Sequence, residues 1–359
     1  MIIHRWLFIN HQASSINRCS KSFFYKRERQ RDKKGDWKYI AEALLLSALW
    51  SANYVCHLCR AHKKIKRLWW TRFGRRSFLR ATRCTNAQFL SWHLGKSVYS
   101  AFLLLNGFCI WRVWSDAMHT LDLGVYQYAI PSAIWDLTCK PCHGRAVFVA
   151  STKAARLLLA YASYKKWCEQ HKVAAPVTKF VESSFKKQSS KYVMWSQITA
   201  KAAQMKHLLF WLADICNQNV YDEYSSVRAA FFNSCLVFET VCRSTGRFLS
   251  PEEAEQVCVA VETALQCYTY LRQNCPDARL FHSVPKFHMW THMAYDFALR
   301  ANPRRVHAYA DEDMIGKIKK ILEHCHGSTA TSRGLLRYLI WVSLRWWVLL
   351  HGMRNIPLQ

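Results

Sequence analysis

From Thr152 to Cys275 apolar residues recur at i, i+3, i+4 and i+7 almost without interruption, and this run fixes most of what the chain can become. KAARLLLAYASYKKW, QITAKAAQMKHLLFWLADIC and VRAAFFNSCLVFETVC each carry the pattern. A further helix starts at Ser250-Pro251-Glu252-Glu253, with Ser250 as N-cap, Pro251 in the first helical position and Glu253 completing a capping box. It stops at Asn274-Cys275-Pro276-Asp277. The run therefore holds about four or five helices, and the predicted fold class is mostly α. Upstream, residues 108–128 (FCIWRVWSDAMHTLDLGVYQY) read as a buried strand running into a helix, aromatic and β-branched before Asp116.

The chain of 359 residues is 51% hydrophobic, enough to bury a core, yet carries a formal charge of +28. That balance excludes a typical acidic metabolic enzyme and favours a polyanionic partner. It is also uneven, because residues 1–83 hold 20 Lys and Arg against 4 Asp and Glu. Residues 1–35 read as a basic arm, disordered or in contact with DNA. The second block, His62–Arg83, sets Trp69, Trp70, Phe73 and Phe78 among its cations. Cations suit phosphates and rings can stack on bases, although basic loops anchored to a core by aromatics would have the same sequence. The predicted phosphate contacts are Lys63, Lys64, Lys66, Arg67, Arg72, Arg75, Arg76 and Arg80.

Fifteen cysteines, an odd number in a large chain, read as reduced thiols, mostly small buried apolar residues. Met1–Asn10 is broken by His4 and Arg5 and lacks the apolar block of a secretory signal. The apolar stretches Ser97–Trp111 and Tyr338–Leu350 fall short of the roughly 20 residues needed to span a bilayer, and are expected as buried core elements. No membrane partner is expected.

Cys56-His57-Leu58-Cys59 is a zinc half-site, since two thiolates at this spacing can occupy two corners of a tetrahedron. Two segments could complete it. One is Cys139-Lys140-Pro141-Cys142-His143, and the other is His288-Met289-Trp290-Thr291-His292, whose histidines at i and i+4 share a helix face. Asp36, Asp116 and Glu312 each lie beside aromatic or apolar sequence. Carboxylates from distant segments can hold Mg²⁺ for phosphodiester hydrolysis, but pairing with the abundant Lys and Arg explains them as simply.

The order of these pieces resembles the catalytic region of DDE transposases with an RNase H-like core, especially the plant CACTA and the Kyakuja/Dileera/Zisupton groups, and more distantly the core of the V(D)J recombinase. The stretches that carry the likeness are Asp36-Trp37-Lys38-Tyr39, Tyr54-Val55-Cys56-His57-Leu58-Cys59, Phe73-Gly74-Arg75-Arg76-Ser77-Phe78-Leu79 and Asp116-Ala117-Met118-His119, followed by a helical insertion and Glu312. They are colinear over roughly residues 33–322.

The resemblance implies a partial RNase H-like α/β core with a long all-α insertion. Its domains would be residues 1–35 as the arm, 36–150 as the partial core with the half-site and basic block, 151–280 as the insertion, and 281–359 as C-terminal core helices. It implies Asp36 as the second acid of the triad and Glu312 as the third, with Asp116 and His119 as the signature that follows the second acid, supporting the site or holding metal. It also joins Cys56 and Cys59 to His288 and His292 through structural zinc, leaving Cys139 and Cys142 as bystanders. Cys56 lies twenty residues after Asp36, and His292 twenty before Glu312.

The family's first acid sits on the first strand of its core. No Asp precedes Asp32 here, and Glu28 lies in a charged run. The chain is therefore expected to resemble the C-terminal portion of a transposase: a nuclear DNA-binding protein, self-associating, whose Mg²⁺-dependent cleavage would need a first carboxylate supplied. The alternative is a zinc-stabilised helical interaction protein with no nucleic-acid role, and behind it a membrane protein.

Overall fold

The computed structural model describes residues 36–46, 52–138, 147–174, 176–185, 187–188, 193–194, 198, 200–275, 277, 279–323, 333, 336–340 and 343, without the side chains of 36–39, 187–188, 193–194 and 310–315. The basic arm, Cys139, Cys142 and most of the apolar stretch 338–350 lie outside the described residues.

In chain order the helices are α1 (Asp36–Ala43), α2 (Phe78–Ala81), α3 (Asn86–Leu94), a π-helix (Met118–Val125) running into α4 (Tyr126–Thr138), α5 (Lys153–Gln170), α6 (Ala202–Gln218), α7 (Glu223–Ser244), α8 (Pro251–Asn274), α9 (Pro285–His292) and α10 (Tyr309–Glu323). Short 3-10 turns fall at Lys66–Leu68, Ala101–Leu104, Ile110–Arg112, Glu182–Phe185 and Pro303–Arg305, and a π turn, Met293–Phe297, extends α9. Strands β1 (Lys187–Gln188) and β2 (Val193–Met194) pair antiparallel, Lys187 opposite Met194. The chain is mostly α.

Local chemistry sets the helix boundaries. Before α8, the Ser250 hydroxyl accepts from Glu253 N at 3.2 Å and Glu253 Oε2 accepts from Ser250 N at 2.7 Å, with Pro251 in the first turn. Asp222 and Ser225 exchange the same pair of bonds at the start of α7. The buried face of α8, Ala254, Val257, Val261, Ala264, Leu265, Tyr268 and Leu271, follows the helical period and packs on α7.

Three expectations change. The strand expected before Asp116 is instead the turn Ile110–Arg112 with extended flanks. Its backbone bonds go to a side chain, Ile110 N donating to Asn86 Oδ1 at 2.9 Å while Asn86 Nδ2 donates to Phe108 O at 3.1 Å, so no ladder forms. No parallel sheet of the RNase H kind occurs among the described residues; besides β1 and β2 there are only the isolated bridges Tyr54 to His62 and His62 to Trp69. Ser97–Trp111 is not a buried element either: Leu103 and Ile110 are buried, but Val98, Tyr99, Phe102, Leu104 and Leu105 are exposed. Short 3-10 turns cannot turn a whole apolar run inward. No described helix is long and apolar enough to cross a membrane.

The helices of 151–280 share one hydrophobic core with their neighbours, since α6 packs on the π-helix and α4, and α8 on α9. Trp211, Phe232, Phe238, Tyr268, Phe287 and Trp290 are fully buried within it. The core also encloses an ionic network. Arg304 donates to Asp122 through Nη1 at 2.7 Å and Nη2 at 3.0 Å, and to Glu239 through Nε at 3.0 Å. Tyr126 and Tyr309 donate to Glu239 and Asp122 at 2.8 and 2.7 Å. One guanidinium thus ties the π-helix, α4, α7 and α10 together.

Candidate metal centre

The chain crosses itself narrowly around the C-x-x-C segment. Val55 N donates to Ala61 O at 3.0 Å and Lys63 N to Asn53 O at 2.9 Å, closing a tight loop that holds Cys56 and Cys59 on one side. Within it, Leu58 N donates to Cys56 Sγ at 3.2 Å, a bond that favours a thiolate.

The histidines stand on α9, one turn apart. Pro285 starts that helix, and Lys286 anchors it by donating from Nζ to Leu123 O at 2.6 Å. To get there Lys286 crosses Gly124, where a Cβ would lie 2.5 Å from its Cδ and 2.9 Å from the backbone oxygen of His119, and the fixed carbonyl is what makes this place in the π-helix require glycine.

The two half-sites meet. Cys56 Sγ lies 3.3 Å from His292 Nε2, Cys59 Sγ 3.2 Å from His288 Nε2, and the two Nε2 atoms 3.2 Å apart. All four candidate ligand atoms fall within 4.8 Å of one another and all four residues are buried. Tetrahedral zinc with its usual bond lengths has N···N, N···S and S···S edges of about 3.3, 3.6 and 3.8 Å. The two N···S separations and the N···N separation fall within a few tenths of an ångström of those lengths. Two sulfurs and two imidazole nitrogens are also a donor set zinc favours.

Protonation across the cluster is divided. The hydrogen bond from Cys56, and then the charge of His288, hold Cys59 well below the usual thiol range, while burial and the adjacent Cys59 push Cys56 well above it. Burial opposes charge on His292, but the Asp296 carboxylate and Cys59 raise it to about 9. Burial and His292 pull the neighbouring His57 down to about 3. A metal entering here displaces protons from Cys56 and His292.

Asp296 was not legible as a site residue, although its spacing of four from His292 is the signal that could have found it. Its Oδ2 accepts from His292 Nδ1 at 2.7 Å, and the same carboxylate takes Arg80 at 2.8 and 2.9 Å and Arg83.

The acids are not assembled into a second centre among the described side chains. Asp116 is committed as a cap: Oδ2 accepts from His119 N at 2.7 Å and from His119 Nδ1, and Oδ1 accepts from Ala308 N at 2.6 Å. Those bonds outweigh burial and keep its carboxyl below the ordinary range. The bond to Ala308 sets the start of α10, the helix that bears Glu312. Asp36 opens α1, and the side chains of Asp36 and Glu312 lie outside the described residues.

The basic block splits in two. Lys64, Lys66, Arg67, Arg72 and Arg76 are exposed and Lys63 is half-buried. Arg67 lies over the Phe78 ring at 3.8 Å. Arg75 is drawn to α8, donating to Glu255 at 2.8 and 3.1 Å, with its backbone N on Glu262 at 3.1 Å. Arg80 is drawn to Asp296. Of the aromatics, Trp69 and Phe78 are exposed whereas Trp70 and Phe73 enter the core. Arg72, Arg75, Arg76 and Ser77 border an open basin of about 650 Å³ with Glu262 and Gln266.

Against known protein families, curated proteins and solved structures, the chain finds no match.

Proposed function

We propose that this chain is a zinc-clipped helical protein that binds DNA in the nucleus, derived from a DDE transposase whose ancestral reaction was Mg²⁺-dependent strand cleavage and transfer. The observation that carries the reading is the convergence of Cys56 and Cys59 with His288 and His292, pairs 229 and 236 residues apart in the chain. That is the ligand set the resemblance implies, in the order it implies. Zinc held there would fix the C-x-x-C loop to α9 and supply no reaction step. Cleavage would need a first carboxylate supplied beside Asp36 and Glu312, and Asp116, both of whose oxygens are engaged within the protein, would support the site.

The surface supporting nucleic-acid contact is the exposed set Lys64, Lys66, Arg67, Arg72 and Arg76, with Trp69 and Phe78 offering rings. Arg75 and Arg80 drop out as free phosphate contacts. The inward ion pair of Arg80 with buried Asp296 favours the second reading, a zinc-stabilised interaction protein without a nucleic-acid role.

Duplex DNA binding followed by fluorescence anisotropy separates the two. Affinity is expected to fall steeply between about 50 and 200 mM salt, by a factor set by the number of phosphates neutralised. The Lys64→Ala/Arg67→Ala/Arg76→Ala variant should bind weakly, with a salt slope reduced by about one per lost contact. Binding that ignores salt, or that the triple variant retains in full, leaves the interaction-protein reading in its place.

A further inference from the structure

We propose that Asp296 is the positioning carboxylate of the metal centre, and that through Arg80 and Arg83 it couples metal occupancy to the order of the segment Arg80-Ala81-Thr82-Arg83-Cys84. The proposal rests on the reading of the Cys/His cluster as a metal site.

Asp296 lies on the π turn that follows α9, where the widened backbone sets it back over His292. Its side chain is 2% exposed, and its two oxygens take four donors. Oδ2 accepts from His292 Nδ1 and Arg80 Nη1, and Oδ1 from Arg80 Nη2 and Arg83 Nη1. An ionised carboxylate only accepts, so Nδ1 of His292 keeps its proton, and Nε2, which faces Cys56 Sγ, is the nitrogen that gives up its proton to a metal. Metal-bound histidines are held this way, by a carboxylate on the nitrogen that does not touch the metal. The support is one-sided, since His288 Nδ1 is buried without a hydrogen-bond partner among the described residues.

The two arginines make Asp296 more than a tautomer lock. They belong to a five-residue strap that also holds the cysteine loop. Thr82 Oγ1 accepts from Arg60 N at 3.2 Å, Cys84 N donates to Leu58 O at 3.0 Å, and Cys84 Sγ donates to His57 O at 3.6 Å. The strap therefore grips the loop that presents Cys56 and Cys59 through Thr82 and Cys84, and the carboxylate that aims His292 through Arg80 and Arg83. Immediately upstream are Arg72, Arg75, Arg76 and Ser77 around the basin. Metal binding, by fixing both grips at once, should order the strap and with it the edge of the arginine-bearing surface. The sequence ATRC thus serves the metal centre, although it sits inside a block whose composition points outward.

The test uses the full chain. Zinc affinity is measured by competition with a chromophoric chelator for wild type, Asp296→Asn and Arg80→Met/Arg83→Met. Cobalt(II) absorption reports ligand geometry, and amide exchange of residues 79–84 is followed with and without chelator. Asp296→Asn should weaken zinc about 10- to 100-fold and shift the cobalt spectrum, because the amide no longer fixes the Nδ1 proton. The double arginine variant should keep one equivalent of zinc yet lose the metal-dependent protection of 79–84. In wild type, chelation alone should deprotect 79–84, a readout that holds even if a variant fails to fold.

Unchanged zinc affinity in Asp296→Asn, or exchange of 79–84 indifferent to chelation in a zinc-loaded wild type, overturns this proposal alone. A wild type that binds no zinc overturns the metal reading together with it.

Discussion

Stripping zinc from the folded chain should lower its thermal midpoint by an amount the centre's construction sets. The ligands come in two pairs, and Cys59 and His288 are 229 residues apart, so the unfolded chain has no preformed site. Binding energy then appears as folding energy. With free zinc at a thousand times Kd the linkage is about 4 kcal/mol. For a chain this long each kcal/mol moves the midpoint by about 2 °C, giving a loss of about 8 °C on chelation. The loss should stop short of unfolding. Without metal, His292 is held protonated near 9 by Asp296, and that buried pair stays intact. The assay is scanning calorimetry with and without chelator, on protein whose zinc is counted by elemental analysis. Cys56→Ser and His292→Ala supply the genetic counterparts: each should abolish stoichiometric zinc and make the midpoint insensitive to chelator. Zinc retained by both variants, or a zinc-loaded wild type whose midpoint ignores chelation, would refute the reasoning.

Arg304→Met should cost about 3–5 kcal/mol in urea denaturation, because it leaves Asp122 and Glu239 buried without their guanidinium. Adding Asp122→Asn and Glu239→Gln should recover part of that loss, and an undiminished midpoint in the single variant would show that the network does not hold the core. Asp116 titrates below the ordinary carboxylate range in the folded chain, so its contribution is complete above about pH 4 and is lost as pH falls through the folded value. The stability gap between wild type and Asp116→Asn should accordingly be widest near neutrality and narrow on acidification, and a gap constant with pH would contradict this account.

How far the sequence could be read depended on how local the physics was. Ser250, Pro251 and Glu253 announce the start of α8 because a cap satisfies backbone groups only three residues away. His288 and His292 announce a shared face because helical geometry alone puts i and i+4 together. The segment before Asp116 misleads for the opposite reason: its aromatic and β-branched residues favour a strand, but Asn86, more than twenty residues upstream, takes the bonds a ladder would need. Ser97–Trp111 misleads because hydropathy gives no direction, and turns leave half its apolar side chains in solvent.

Arg75 and Arg80 show the same boundary for charge. A run of cations is visible in the sequence, but whether a given guanidinium faces solvent depends on Glu255, Glu262 and Asp296, residues about 180 to 216 positions away. By itself, then, the sequence determined the helical class, the helix caps, the two pairs of candidate metal ligands and the excess of positive charge, all of which follow from composition or from spacing within a few residues. Only the tertiary structure decided that the halves meet and that Arg80 turns inward to Asp296. Those outcomes are set by contacts across more than 200 residues, and no local spacing encodes which distant carboxylate will be waiting.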